Sequence, residues 1–375
     1  MIPVLLDYET LRVLWWLLLG GLLIGFALTD GYDLGMAALL PFVARNEDER
    51  KHVLETVEPI WEGNQVWLIT AGAASFAAWP PLYAVSFSGF YLALFLVLLA
   101  LIVRPVGFGF RSKIDDARWR AWWDGAICIG GIVPALIFGV AFGNLLLGVP
   151  FSFDGLMRAT YTGSLIELLN PFALLCGLVS LSMLAMHGGT WVAMTTDGVI
   201  AARARQAAMI AGLATIVLFA AGGLATSTID GYRIAGDVVS DGPSNPLAKT
   251  VLRESGAWLT NYGSMSWTLL APIFGFLGAG LAIVFTRAKR PALAFAGSSL
   301  SLFGIVATPG LAMFPFLLPS STTPDHSLTV WDASSSPNTL WTMLLVTAVF
   351  LPIILAYTSW VLRVVFGPAK HDSHL

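Results

Sequence analysis

Apolar residues in this chain run in long stretches instead of alternating with polar ones, and the stretches recur from end to end. They lie at about 11–43, 60–79, 82–103, 122–148, 164–194, 205–226, 264–286, 292–316 and 338–365. A bilayer core of about 30 Å takes roughly 20 apolar helical residues to cross, so each stretch predicts a transmembrane helix. Helix is the expected element because a segment in lipid must satisfy its own backbone hydrogen bonds. The pattern predicts an all-α, polytopic membrane protein of about nine transmembrane helices, forming a single integral membrane domain over 1–375. Two segments between stretches are long enough to fold over a membrane surface. The first, 227–263, carries turn signals in Asp241-Gly242-Pro243 and Asn245-Pro246. The second, 317–337, holds Pro319 and Pro324 and ends on Ser336-Pro337, a helix cap followed by a first-position proline.

Composition narrows the function classes. Hydrophobic residues make up 57% and charged residues 11% of the chain, against roughly a quarter charged in soluble domains. Mean hydropathy is +0.77. The net charge of −3 and the lack of a basic block argue against a nucleic-acid partner. Cys128 and Cys176 sit in apolar runs without metal-ligand spacing. Asp7, Glu9 and Arg12 precede the first apolar run where a signal peptide would have a basic region, so that run reads as a retained anchor. No phosphate loop, dinucleotide fingerprint or nucleophile–base set is present. The chemistry open to the chain is membrane chemistry: protons, ions, lipid-soluble substrates or a partner's cofactors.

Charge placement orients the helices. With nine spans and the N-terminus outside, the inner segments hold fifteen of the 20 Lys and Arg, among them Arg45, Arg50, Lys51, Arg104, Arg111, Arg203, Arg287, Arg363 and Lys370. The outer side keeps five: Arg12, Arg158, Arg233, Lys249 and Arg253. Because cytoplasmic loops carry the excess of Lys and Arg, this asymmetry predicts an outward N-terminus and an inward C-terminus.

Several residues do not belong in lipid. Asp30 and Asp33, in Thr29-Asp30-Gly31-Tyr32-Asp33-Leu34-Gly35, are three apart and share a helical face. A carboxylate at a helix centre costs about 2.5–3.5 kcal/mol even on a lenient scale, and two so close favour a shared or carried proton. The functional reading is a proton relay or cation site. The structural one is that one carboxylate caps a helix break at Gly31 while the other binds a neighbouring helix. Gly21-x-x-x-Gly25 and Gly31-x-x-x-Gly35 have the spacing of close helix packing. At the start of the second span, Trp61-Glu62-Gly63-Asn64-Gln65-Val66-Trp67 puts Glu62 at the inner membrane edge. There it is either a proton entrance or an ordinary acid at a helix start. Arg104-Pro105 reads as a helix stop with a basic anchor. His187 is the one histidine inside a span, with His52, His326, His371 and His374 in loops or the tail. One histidine cannot supply a bis-histidine haem site, so a buried, hydrogen-bonded role is expected and no haem ligation.

The chain resembles subunit II of the cytochrome bd-type quinol oxidases. The resemblance rests on GFALTDGYDLG (25–35), WEGNQVWLITAGAASFAAWP (61–80) and FSGFYLALFLVLLALIVRPVGFGFRSK (87–113). It continues in VAFGNLLLGVPF (140–151), ELLNPFALLCGLVS (167–180), NPLAKTVLRESGAWL (245–259) and MFPFLLPSSTTPDHSLTVWDASSS (313–336). It implies two four-helix bundles plus one peripheral helix, in the bacterial cytoplasmic membrane, with a periplasmic N-terminus and a cytoplasmic C-terminus. It also implies a heterodimer with subunit I, which carries two b-type haems and one haem d. That complex oxidises quinol at the outer face and reduces O2 to water with cytoplasmic protons. Subunit II would ligate no haem and have no catalytic site of its own. A quinone such as ubiquinone can sit in it, and small single-helix accessory subunits can join the complex.

By position, Asp30 and Glu62 fall on the family's cytoplasmic proton route, with Asp33 beside them. The family often has Asp where this chain has Glu62, which keeps the carboxylate and moves it by one methylene. Trp67 falls on the wall of a lipid-side oxygen passage. Arg104 matches a family arginine, placed here with Gly31 and Gly35 among structural or interface positions. A proton- or cation-coupled secondary transporter, with Asp30 and Asp33 as its ion site, is the alternative from another class. A scaffolding subunit that moves no protons is a second.

Overall fold

The computed structural model describes residues 4–236 and 239–366; Lys370, His371 and His374 lie outside the described residues. Helix α1 (Tyr8–Val43) starts where the Asp7 carboxylate accepts the Thr10 N–H at 2.7 Å. It runs 36 residues, or about 54 Å at 1.5 Å per residue. It passes unbroken through Gly31, so neither carboxylate caps a break there. The short α2 (Glu47–Glu55), capped by Asn46, follows. Helix α3 (Trp61–Ala78) then returns antiparallel along α1: Asn64 lies beside Asp33, Trp67 over Gly25, and Ala78 in one apolar cluster with Trp15.

The stretch expected at 82–103 forms two helices, α4 (Pro80–Gly89) and α5 (Tyr91–Phe110), which meet at Phe90. Helices α6 (Ala117–Leu147), α7 (Pro171–Thr195) and α8 (Gly198–Thr226) follow, then the single-turn α9 (Thr260–Ser264), α10 (Leu270–Arg287), α11 (Pro291–Met313) and α12 (Pro337–Phe366).

Among the described residues eight helices are long and apolar enough to cross a membrane: α1, α5, α6, α7, α8, α10 with its preceding turn, α11 and α12. The ninth expected span is α3, whose hydropathy is lowered by Glu62, Asn64 and Gln65 in and next to its first turn. Helices α7, α8, α10 and α11 each touch the next and close a ring. Helices α3 and α6 lie against α1, α5 packs on α6, and α12 touches only α1 and α3 among the larger contacts. The ring and the α1 group join where α7 packs on both α1 and α6.

Small residues make those joins possible. A Cβ on Gly35 would collide with the Leu184 carbonyl of α7, and one on Gly188 would collide with the Met36 amide of α1. A Cβ on Gly31 would lie 2.8 Å from Leu184 Cδ2. The Gly31/Gly35 pair therefore packs α1 on α7 as its spacing suggests. The Gly21/Gly25 pair is split: Gly25 lies under the Trp67 ring, whereas nothing lies within 4 Å of a Cβ on Gly21.

Three antiparallel hairpins gather at the end where α1 starts. They are β1 (Phe151–Phe153) with β2 (Ala159–Tyr161), β3 (Asp230–Ala235) with β4 (Thr250–Ser255), and β5 (Phe316–Leu318) with β6 (Leu328–Thr329). The last two occupy the segments 227–263 and 317–337. Arg12, fully buried, ties α1 to both: it donates to the Ser240 and Gly242 carbonyls and the Ser334 hydroxyl, with its guanidinium 3.4 Å above the Tyr8 ring. Lys249 and Asp332 join the same two segments at 2.9 Å.

Candidate functional site

The polar residues of α1 meet polar residues of two other helices in the interior. Arg104 of α5 donates from Nη2 to Asp30 Oδ1 at 2.6 Å, and neither side chain has any exposed surface. Asn64 of α3 donates from Nδ2 to Asp33 Oδ2 at 2.9 Å and to the Tyr32 hydroxyl at 2.8 Å. Asp33 is also fully buried, and Asn64 and Tyr32 nearly so. The two carboxyl groups, one helical turn apart, lie within hydrogen-bonding reach of each other. Four buried polar atoms here have no hydrogen-bond partner: Asp30 Oδ2, Asp33 Oδ1, and Arg104 Nε and Nη1. Buried polar groups are ordinarily paired, which sets this cluster apart from the packing around it.

Arg104 corrects the sequence reading. It does not end its helix: α5 continues through Pro105 to Phe110. Nor is it an interfacial anchor, since it is desolvated and paired with the carboxylate that the sequence left without a counter-ion. Glu62 also falls elsewhere. It is exposed in the first turn of α3, two residues before Asn64 and so about 200° round the helix at 100° per residue. Asn64, not Glu62, reaches Asp33. Trp67 closes against Gly25 of α1, one turn and a residue before Asp30.

Beside the cluster, Tyr32 stacks on Trp191 with ring centroids 4.1 Å apart. His187 stacks on Phe295 at 4.6 Å. The Leu28 carbonyl can only accept, so His187 Nε2 carries the hydrogen of that 3.1 Å bond and Nδ1 accepts from Ser298 Oγ at 2.8 Å. Both ring nitrogens are engaged inside the protein. His187 is thus the buried, hydrogen-bonded histidine expected. His326 Nδ1 likewise accepts the Phe153 N–H.

Two further features frame the site. At the end where α1 finishes, α2 is bound across the ends of α5, α6 and α8. Arg111 reaches both Glu47 oxygens at 2.6 and 2.8 Å and Asp124 Oδ1 at 2.5 Å. Arg50 reaches Asp124 at 2.6 Å, and Arg203 reaches Glu49 at 2.7 Å. The Arg111 hydrogen bonds hold Glu47 below its usual carboxylate range, and the Arg45 N–H, then Arg203, does the same for Glu49. An apolar cavity of about 570 Å³ opens between α1, α6, α7, α8, α10 and α11. Phe26, Phe138, Phe172, Met183, Phe219 and Phe276 are among its walls, and Thr226 and Tyr262 stand at its end nearer the hairpins.

Comparison with known proteins agrees with this architecture. A family model described as cytochrome bd terminal oxidase subunit II matches residues 11–365. The chain is 50% identical over 364 residues to the cytochrome bd-I ubiquinol oxidase subunit 2 of Escherichia coli, covering 97% of this chain and 96% of that one. It is 49% identical over 363 residues to a probable cytochrome oxidase subunit 2 of Haemophilus influenzae, with the same coverages. A chain in the structure of bd oxidase from Geobacillus thermodenitrificans superposes with a TM-score of 0.71 at 14% identity, covering 95% of this chain and 99% of that one. At that identity the likeness speaks to the fold.

Proposed function

Because the chain belongs to the cytochrome bd terminal oxidase subunit II family, we propose that it is the haem-free subunit of a quinol:O2 oxidoreductase, supporting subunit I and carrying a proton route to it. Its relatives are subunits of ubiquinol oxidase complexes, and the chain is a multi-pass membrane protein. We place it in the bacterial cytoplasmic membrane, with the hairpins and the N-terminus periplasmic and α2 cytoplasmic. The cations at 45–51 and 111–120, on the α2 side, support that orientation.

The observation that carries the proton route is the desolvated Asp30–Arg104–Asp33–Asn64 cluster, lying on the α2 side of α1's middle. Carboxylates inside a membrane are functional by default, and these touch no ligating histidine or metal-binding group. Glu62, exposed in the first turn of α3, stands at the cytoplasmic end of the same helix pair and is the proposed entrance. Asp30 and Asp33 are the interior carboxylates of the route, and Trp67 belongs to the wall of a lipid-side oxygen passage. The two b-type haems and haem d are assigned to subunit I, which fits the engaged nitrogens of His187.

The test is oxygen consumption by purified complexes carrying Asp30→Asn or Glu62→Gln, with haem content read from the visible spectrum. The expected result is a loss of turnover with all three haems in place. Unchanged turnover with intact haems would leave the chain a scaffold and sink the route. The 570 Å³ cavity supports a second element of the reading, a bound quinone: the walls suit an isoprenoid tail, and Thr226 and Tyr262 offer hydrogen bonds to a ring carbonyl. The secondary-transporter alternative has no comparable support, since family and fold both point to the oxidase.

A further inference from the structure

We infer that the aspartate pair of α1 holds one resident proton, that this proton sits on Asp33, and that Arg104 is the positioning residue that keeps it there by holding Asp30 as the anion.

Charge and hydrogen bonding converge on this. The polar side chains that meet the pair are Arg104 from α5, Asn64 from α3 and Tyr32 from α1 itself, with His187 of α7 beyond Tyr32. Only Arg104 is cationic. His187 is committed to Leu28 and Ser298, and the Tyr32 hydroxyl accepts from Asn64. With both aspartates ionised, the buried site would hold two anions against one cation, in surroundings without exposed surface. An unpaired buried charge is among the most costly arrangements in a protein. One proton makes the cluster neutral.

The same proton completes the hydrogen bonding. Ionised carboxylates only accept, so two of them within reach of each other leave Asp30 Oδ2 and Asp33 Oδ1 both unpartnered, as they are here. A carboxylic acid on one side turns that contact into an O–H···O⁻ bond and satisfies both atoms.

The two sites are not equivalent. Asp30 receives the guanidinium at 2.6 Å, and protonating it would strip the cluster's cation of its counter-ion. Asp33 receives only the neutral amide of Asn64 at 2.9 Å. The proton therefore belongs to Asp33, which donates to Asp30. Use of that proton as a relay rests on the proton-route reading above, whereas its position does not. The structure thus divides the work between two residues that are indistinguishable by composition: Asp30 is the fixed anion and Asp33 the acid.

The experiment is infrared spectroscopy of the intact, detergent-solubilised complex equilibrated in H2O and in D2O, comparing the native chain with Asp33→Asn. A protonated carboxyl has a carbonyl stretch well above the carboxylate bands and shifts on deuteration. Asp33→Asn is isosteric with the neutral acid and leaves the Asp30–Arg104 pair intact, so it is expected to fold with its haems. It is expected to lose the band of one carboxylic acid. Asp33→Glu and Asp30→Glu, which keep the charge count, and Arg104→Gln where it assembles, serve as second variants. The first is expected to shift the frequency of the band, the second to leave it in place, and the third to add intensity as Asp30 also takes a proton. A spectrum unchanged by Asp33→Asn overturns the assignment, and a band shifted by Asp30→Glu but not by Asp33→Glu moves the proton to Asp30. Oxygen consumption by the same samples reads the proton route separately. A missing band with unimpaired turnover would leave the proton on Asp33 and remove only its use.

Discussion

A charge in the membrane interior is tolerated only with its counter-charge, and Arg104 shows how strictly. Removing one partner of a buried ion pair costs about 3–5 kcal/mol because the other is left uncompensated. Arg104→Gln is therefore expected to lower the thermal stability of the complex by an amount of that order. Asp30→Asn combined with Arg104→Gln should recover most of it, since the double change leaves no lone charge. Loss of the Soret absorbance on heating measures both, and a double variant no better than the single one would show that the pair is not the stabilising unit. Half of this site was legible in the sequence. Asp30 and Asp33 announce themselves because a carboxylate within an apolar run has no local means of solvation. Arg104 does not, because Arg-Pro near the end of an apolar run is also how a helix stops, and its partner lies 74 residues away. Asn64 was hidden for another reason: a neutral amide carries less signal than its charged neighbour Glu62, and only helical phase tells which of them faces α1.

Helix packing in lipid depends on close contact and not on expulsion of water, so the glycines of α1 should differ sharply in consequence. Gly35→Ala drives a methyl group into the α7 backbone at Leu184 and Gly188 and is expected to destabilise assembly severely. Gly21→Ala, with open space around its Cβ, should change the melting temperature little; surface changes usually stay within about 0.5 kcal/mol. Equal melting temperatures for the two variants would contradict the packing described. Their spacing in sequence is the same, so periodicity could not separate them; only the neighbouring helix does. The long spans were readable because about 20 apolar residues leave few alternatives. The Phe90 junction and the three hairpins were not, since short strands carry little periodic signal. Helix α2 makes a prediction of its own. Glu47 and Glu49 are held below their usual range, so their ion pairs contribute stability that is complete above the ordinary Glu value of about 4.3 and is lost as pH falls through the lower folded values. Hydrogen-exchange protection across 45–58, corrected for intrinsic rates, should hold from neutral pH to about 5 and fall only in stronger acid. Loss of protection already near pH 6 would mean that these pairs do not hold α2 down.

At the scale of the whole molecule the distribution of burial is uneven in a way that a self-contained protein would not need. In their most apolar windows α7 is 61% buried within the chain, whereas α12 is only 11% and α8 17% buried. Much of the apolar surface thus waits for lipid or for a partner, as expected of one subunit in a heterodimer. The interior is uneven as well: the α1–α7 seam is tight enough to exclude a methyl group, yet a cavity of about 570 Å³ lies one helix face away. Interiors close-pack when nothing prevents it, and aromatic side chains of α1, α6, α7, α8 and α10 stand among the walls here. A space of this size that only separated helices would cost stability without return. One that holds an isoprenoid quinone or a comparable lipid completes the packing instead. Gly222 lines the cavity on α8 with nothing within 4 Å of its Cβ, so Gly222→Leu inserts bulk while removing a helix-weakening glycine. If a quinone fills the space, the variant complex should lose most of the quinone extractable from the native one. It should keep its haems, and its melting temperature should stay near that of the native complex, because leucine occupies part of the vacated volume. An undiminished quinone content would place any co-purifying quinone elsewhere in the complex. A variant that loses quinone and melts far lower would mean that the ligand, more than the surrounding side chains, holds the α7–α11 ring against α1.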